Sequence, residues 1–267
     1  MIDGHARVGP EPASLERLKA EMSRAGVGRA VLFGPDPWRY LPETARGGAF
    51  AFVRRIDPLD DHSLAQSEAL TTGHYAGVEL RPARPGRWLN ARQVAPLWEK
   101  LARLNLPVNI AIASQQYNEF SDVVTAFPDL RIVIDDLGRA GETAVSQYLP
   151  ILLEYARYPQ VYVSVSRLSD VSLEEHPHRD LWPVLRETLD RFGAQRLVWG
   201  SGYPEVMDGC GYLAEAQLLE QLPFLTSDDL RLITEANAAG LWFPSRAASA
   251  ESEPGALTRE AAEPRSG

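Results

Sequence analysis

Short apolar runs punctuate this chain at 30–33, 49–53, 77–80, 108–112, 132–134, 161–165 and 197–199. They are brief, rich in β-branched residues and apolar at successive positions, the pattern of strands buried on both faces of a parallel sheet. Between them, apolar residues recur at helical spacing. Leu15, Leu18 and Met22 form one stripe, and Val94, Leu97, Trp98 and Leu101 another. Val145, Leu149, Leu152 and Leu153, then Leu181, Leu185 and Leu189, repeat the pattern. Strand followed by helix, about eight times over ~240 residues, predicts an α/β protein of the (β/α)8 TIM-barrel type, whose usual length is roughly 250 residues. A doubly wound open sheet is the structural alternative. No Gly-x-Gly-x-x-Gly follows the first strand, which speaks against a dinucleotide-binding version of it. The barrel is assigned to residues 1–245 as a single domain. Residues 246–267 are rich in Ala, Glu, Ser, Pro and Arg, hold one large apolar residue, Leu257, and are expected to form a disordered tail.

Composition narrows the partners. The 267 residues are 45% hydrophobic and 24% charged, ordinary for a soluble protein with a large core. A net charge of -9 argues against nucleic acid or an anionic membrane as the main partner, since both call for a basic surface. No stretch of ~18 apolar residues is present, so no membrane span is expected. The N-terminal Met1-Ile2-Asp3-Gly4-His5 has no basic region followed by an apolar run, so no signal peptide is expected. The single cysteine, Cys210, excludes an intrachain disulfide and a cysteine metal cluster, which fits a cytoplasmic location.

Near the C-terminus, Arg196-Leu197-Val198-Trp199-Gly200-Ser201-Gly202-Tyr203-Pro204 carries an apolar strand into a glycine-rich corner. Ser201 is not a nucleophile elbow, because Gly-x-Ser-x-Gly needs another spacing. Earlier come Ile2-Asp3-Gly4-His5-Ala6-Arg7-Val8-Gly9, Gly77-Val78-Glu79-Leu80-Arg81-Pro82 and Leu106-Pro107-Val108-Asn109-Ile110-Ala111. Leu130-Arg131-Ile132-Val133-Ile134-Asp135-Asp136-Leu137-Gly138-Arg139, Val161-Tyr162-Val163-Ser164-Val165-Ser166 and Asn237-Ala238-Ala239 follow. In this order and spacing they resemble signatures of the amidohydrolase-related (type 2) branch of the amidohydrolase superfamily. The matching patterns are "(I/V)D(S/A/C)HxHxG", "GxKLxP", "LPVxIH", "LxxVxDHLG", "VYxKxS", "(I/L)(L/F/W)GSDYP" and "NAxRLF". The resemblance runs from residue 2 to about 243. It implies a (β/α)8 barrel with a first short strand at residues 1–3 and chemistry where strands end and βα loops begin.

Metal-dependent members of that family hold Zn²⁺ or Mn²⁺ with imidazoles and a carboxylate, and the metal makes a nucleophile of bound water. Carried over by position, the first His is kept as His5, but the second becomes Arg7. The His of the fifth strand becomes Ala111, the His of the sixth becomes Asp136, and the Asp of the eighth becomes Gly202. Arg7 puts a permanent positive charge where a cation would sit. No catalytic metal and no cofactor are therefore expected. The resemblance also implies metal-free members that open lactones or act similarly on carboxylated substrates. These rely on the eighth-strand aspartate as base, which Gly202 lacks.

The remaining polar residues nominate another chemistry. His5 and Asp136 are the expected catalytic pair, since a carboxylate beside an imidazole raises its pKa and fixes its tautomer. Arg7, Arg81, Glu79, Asn109, Ser164 and Tyr203 are the expected substrate-binding residues, with Arg54, Arg55, Arg167, Gln115 and Ser166 nearby. Guanidinium groups around one cavity favour an anionic small-molecule substrate gripped bidentately. Arg54 and Arg55 are adjacent, so at most one faces the cavity, and Asp135 and Asp136 likewise cannot both point inward. Plainer readings stand beside these. His5 as a rim imidazole bonded to backbone, Arg7 as an ion-pair partner of Asp136, and Trp38, Trp88 and Trp199 as core or lid residues are all weighed. His176 and His178 form a His-x-His, but their acidic and proline neighbours mark an exposed loop after the seventh strand, with solvated histidines as the default.

Two functions remain open. The first is a metal-independent enzyme using acid/base catalysis on a small anionic or carbonyl-bearing molecule. Hydrolysis of a lactone or amide, or a lyase, isomerase or cyclase step, would fit. The alternative is a catalytically inactive pseudoenzyme, a small-molecule binder or partner subunit. The enzyme is preferred because charged groups, costly to bury unless paired, occupy the vacated positions. A homodimer is left open, as dimers are common among similar barrels.

Overall fold

A computed structural model describes residues 1–243 except 9–11, 38–47, 84, 85, 87, 113–115 and 139–144, and the backbone alone at 12–14 and 145–147. The expected tail at 246–267 lies outside the described residues, as do Trp38, Gln115 and Arg139. Eight strands, β1 (Ile2–Arg7), β2 (Arg29–Gly34), β3 (Phe50–Ile56), β4 (Gly77–Leu80), β5 (Val108–Ile110), β6 (Ile132–Ile134), β7 (Val161–Ser166) and β8 (Leu197–Gly200), pair in sequence order, all in parallel. The ring closes just beyond β8. Arg7 N–H donates to the Tyr203 carbonyl at 2.8 Å, and Gly202 N–H to the His5 carbonyl at 2.9 Å. This is the expected (β/α)8 barrel.

The helical stripes turn inward as their spacing requires. Leu15, Leu18 and Met22 of Pro12–Arg24 are buried, as are Leu97, Trp98 and Leu101 of Ala95–Leu104. Pro96 and Pro183 begin their helices at positions whose N–H groups would be unsatisfied anyway. Asn105 ends Ala95–Leu104 in the left-handed region. Inside the ring, Ile2, Val31, Phe33, Ala51, Val53, Val133 and Val198 pack together, and Ala238, Leu241 and Trp242 of the final helix plug them from below. Asn237 holds that plug by donating to the Ala194 and Leu197 carbonyls, each at 2.7 Å. A cleft of about 460 Å³ opens at this end, between residues that include Phe52, Tyr75, Pro107, Arg131 and Trp242. Among the described residues no carboxylate lines it.

β1 is longer than the apolar pattern allows, because Asp3, His5 and Arg7 interrupt it. Its register against β2 slips between Asp3 and Ala6, with one extra residue on β1. Such a bulge reverses the in–out alternation. Ile2 therefore faces the barrel, Asp3 faces out, and His5 and Arg7 both face in.

The outward Asp3 is fully buried and fastens the closure. It accepts from the His5 N–H at 3.0 Å, the Ser201 N–H at 2.9 Å, the Ser201 hydroxyl at 2.6 Å and the Tyr212 hydroxyl at 2.9 Å. Burial raises its pKa, and these hydrogen bonds partly offset that shift. Among the described residues no helix is long and apolar enough to cross a membrane.

Asp3→Ala strands three side-chain and backbone donors of Ser201 and Tyr212 in a dry site, so a loss of about 3–5 kcal/mol is expected in urea unfolding. Tyr212→Phe, which removes one donor and leaves the carboxylate paired, is expected to cost about 1 kcal/mol in the same measurement.

Candidate active site

The C-terminal half of the barrel interior is polar. β4 supplies Glu79, β5 Asn109, β7 Ser164 and Ser166, and the end of β6 Asp135 and Asp136, all buried beside His5. At the centre, Glu79 takes Arg55 Nε at 2.8 Å, Arg81 Nη1 at 3.3 Å and Arg7 Nη2 at 3.6 Å. Burial pushes the Glu79 pKa up, but the Arg55 and Arg7 charges overcome it, and the net shift is downward. Glu79 is thus a charged hub. It stands at the lysine of the "GxKLxP" pattern while Arg7 stands at a histidine, so a cation and an anion meet where neither is expected.

Arg7 extends Nη1 to Glu205 at 3.2 Å, and its Nη2 lies 3.1 Å from His5 Nε2. A guanidinium only donates, so Nε2 holds the lone pair and the proton sits on Nδ1. Burial, then the charges of Arg7 and Arg167, push the His5 pKa well below its ordinary value. The imidazole is neutral, against the expectation that Asp136 raises its pKa. Its Nδ1 faces Ser166 Oγ at 3.4 Å and Asp136 Oδ1 at 3.7 Å. Gly200 makes room for this ring, since a Cβ there would lie 2.5 Å from His5 Cβ.

Asp136 accepts from the Ser166 hydroxyl at 2.8 Å, and Ser166 in turn contacts Ser164 Oγ at 2.8 Å. Arg167 Nη1 stands 3.6 Å from the other Asp136 oxygen. The ion-pair partner of Asp136 is thus Arg167 and not Arg7. Burial raises the Asp136 pKa, offset in part by Arg167 and Ser166. Asp135 accepts from Asn109 Nδ2 at 2.8 Å and is pushed well up by burial, then by Asp136 and Glu79. Both carboxyl groups are buried in the barrel, which corrects the expectation that only one points inward. Strand alternation fails here because Asp136 adopts φ 53°, in the left-handed region.

Other expected residues divide. Arg55 faces Glu79, whereas Arg54 pairs with Asp36 and Tyr75. Asn109 and Ser164 are buried and meet Asp135 and Ser166 respectively. Tyr203 contributes its backbone to the closure, and its ring packs edge-on to Tyr212, 6.4 Å between centroids, beside Arg17 and Glu21 of the first helix. Its side chain is therefore on the outer face, not among the groups around Glu79. Trp88 and Trp199 are fully buried core residues. His178 is 3% exposed, against the reading of a solvated loop histidine. Glu205 escaped notice in the sequence. Its signal is its place one residue past the Gly202-Tyr203-Pro204 corner.

These residues do not fit a divalent ion at the barrel mouth. Arg7 occupies the Nε2 lone pair of His5, and among the described residues no third His, Cys, Asp or Glu donor joins His5 and Asp136 in a ligand cluster. Gly202 offers no carboxylate, and its space is taken. At φ 70°, a Cβ there would overlap Arg167 Cγ.

An eight-stranded barrel with a buried acid–base network and guanidinium groups at the C-terminal ends of its strands defines an enzyme site of the TIM-barrel kind. The chain belongs to the amidohydrolase family, whose sequence profile matches residues 4–243. It is 27% identical to the L-fucono-1,5-lactonase of Burkholderia ambifaria over 212 residues, 72% of this chain and 69% of that protein. An amidohydrolase from Burkholderia multivorans with bound zinc superposes with a TM-score of 0.76 at 19% identity, over 90% of this chain and 98% of that one. The 5-carboxyvanillate decarboxylase of Sphingomonas paucimobilis superposes at 0.62 with 15% identity, over 92% and 99%. Membership of that family, with a lactonase among its relatives, supports an enzyme.

Gly202→Asp is expected to destabilise the protein by about 1–3 kcal/mol, from left-handed strain and overlap with the Arg167 stem. Arg167→Ala in the same chain is expected to recover part of the loss, read as a coupling energy in a thermal or urea double-mutant cycle.

Proposed function

We propose that the protein is a metal-independent hydrolase of small anionic or hydroxylated lactones, with Asp136 as the proton-transferring group. The carrying observation is the setting of Asp136, a carboxyl group of raised pKa held between the Ser166 hydroxyl, the His5 imidazole and the Arg167 guanidinium. A carboxyl group poised above its usual range is a better base than an ordinary aspartate. The lactonase relative supports the substrate class.

In this reading Asp136 takes a proton from water as the water oxygen bonds to the lactone carbonyl carbon. The negative charge moves to the carbonyl oxygen, where a guanidinium group stabilises it. The ring C–O bond then breaks, and Asp136 returns its proton to the departing alkoxide, giving the hydroxy acid. His5 is a positioning residue. Its Nδ1–H faces Ser166, whose hydroxyl donates to Asp136 and favours its charged form. A guanidinium has five N–H donors, and Glu79 engages only one of the hydrogen bonds of Arg55 and one of Arg81. The remaining donors suit carboxylate or carbonyl oxygens. Arg7 and Glu79 anchor this array, and Glu205 partly masks Arg7 from the solvent side.

Turnover of sugar 1,5-lactones, followed by acid release in chelator-containing buffer, tests the reading. Rates above spontaneous opening are expected, and Asp136→Asn is expected to lose about 10²–10⁴-fold in kcat. kcat/KM is expected to fall as pH drops through an apparent pKa above the usual ~3.9 of aspartate, because the required base becomes protonated. That acid limb should vanish in Asp136→Asn. Turnover abolished by chelator and restored by zinc only when His5 is present would overturn the proposal, as would failure to open any lactone.

A further inference from the structure

Away from the charged mouth, three donors of different kinds meet under the segments that follow β7 and β8. His178 precedes the helix Trp182–Phe192, Cys210 precedes the helix Tyr212–Leu218, and Glu215 lies in the first turn of the latter. One ligand atom of each falls within 4.8 Å of the other two. His178 is 3% exposed and Glu215 0%. His178 Nδ1 lies 2.9 Å from the Glu174 carbonyl oxygen. A carbonyl only accepts, so Nδ1 carries the proton and Nε2 presents its lone pair. That Nε2 is buried and has no hydrogen-bond partner, and neither has Glu215 Oε1. Glu215 Oε2 accepts from the Cys210 thiol at 3.5 Å. Two buried acceptors without donors, beside a thiol, are the groups a cation would satisfy.

We propose that His178 Nε2, Cys210 Sγ and Glu215 Oε1 bind one divalent ion of the zinc type, with water completing a tetrahedron. One sulfur, one imidazole nitrogen and one carboxylate oxygen form the mixed soft and borderline set that selects Zn²⁺ over Mg²⁺ or Ca²⁺. Bonds of about 2.0–2.3 Å bring such ligands roughly 3.5 Å apart, a modest contraction from the observed cluster. The Glu174 carbonyl already orients the imidazole. On binding, the Cys210 S–H bond breaks, a metal–sulfur bond forms and the proton leaves to solvent, with no change of oxidation state.

The consequence is mechanical. The Leu168 amide bonds to the Glu215 carboxylate, and Gly209 packs on Ser169. An ion here ties the segment after β8 to the short stretch that begins at Arg167, the partner of Asp136. It stands apart from the proton-transfer machinery and stiffens one wall of the site.

The full chain, stripped with chelator, is titrated with Zn²⁺ by calorimetry and with Co²⁺ by absorbance. One ion per chain, a thiolate-to-cobalt charge-transfer band and a zinc-dependent rise in the thermal midpoint are expected. Cys210→Ser and His178→Gln should each weaken zinc binding on the order of 100-fold or more, and Cys210→Ser should abolish the band. His5→Ala should bind zinc as the wild type does, which separates this site from the barrel mouth. Cys210→Ser replaces a partly exposed thiol by a near-isostere, and its circular dichroism verifies folding should His178→Gln misfold. Unchanged zinc affinity in Cys210→Ser, absence of the cobalt band, or loss of binding in His5→Ala would overturn the proposal.

Discussion

A carboxylate sealed inside a barrel survives only with cations at hand, and Glu79 has three within 3.6 Å. Much of the site follows from that constraint. Arg7 must lean inward to reach Glu79, and in doing so it covers the ring nitrogen of His5. The covered imidazole stays neutral and turns its remaining N–H toward Ser166 and Asp136. Asp136 then has two neutral groups on one oxygen and Arg167 near the other. Removing Glu79 would leave three guanidinium groups repelling one another in a poorly solvated space, and the orientation of His5 would lose its cause.

The barrel was legible because its strands are buried on both faces and its helices on one, and both habits leave periodic marks. Runs such as 77–80 and 132–134 coincide with β4 and β6. β1 was not legible beyond residue 3, since its polar residues are satisfied by partners up to 209 positions away. Nor can a sequence announce a bulge, yet that one extra residue is what turns His5 and Arg7 into the same space. The rule of alternation failed again at Asp136, where a left-handed backbone brings two adjacent carboxyls inside. His178 read as a surface residue because its neighbours are acids and prolines. What buries it lies in another loop, more than 30 positions on.

This chain shares the scaffold of its family and carries a dense set of side-chain charges at the strand ends. One similar barrel is known with zinc bound, whereas here an arginine meets the histidine that a metal would need. Such a network is worth little if half satisfied, because buried polar groups without partners are costly. Around Glu79 and Asp136 most charges are paired, but Arg7 Nε, Asn109 Oδ1, Asp135 Oδ2 and Glu205 Oε2 are buried without partners, and this retained polarity is directed toward the C-terminal ends of the strands, where this fold places its chemistry.

The overlap between Gly202 and the Arg167 stem ties two distant positions together. A side chain at 202 and the arginine stem at 167 compete for one volume, so neither position can be changed without consulting the other. An acidic residue introduced at 202 meets its full penalty only while the arginine keeps its place, and moving the arginine takes a counter-charge from Asp136. Two residues far apart in the chain thus behave as one unit of substitution.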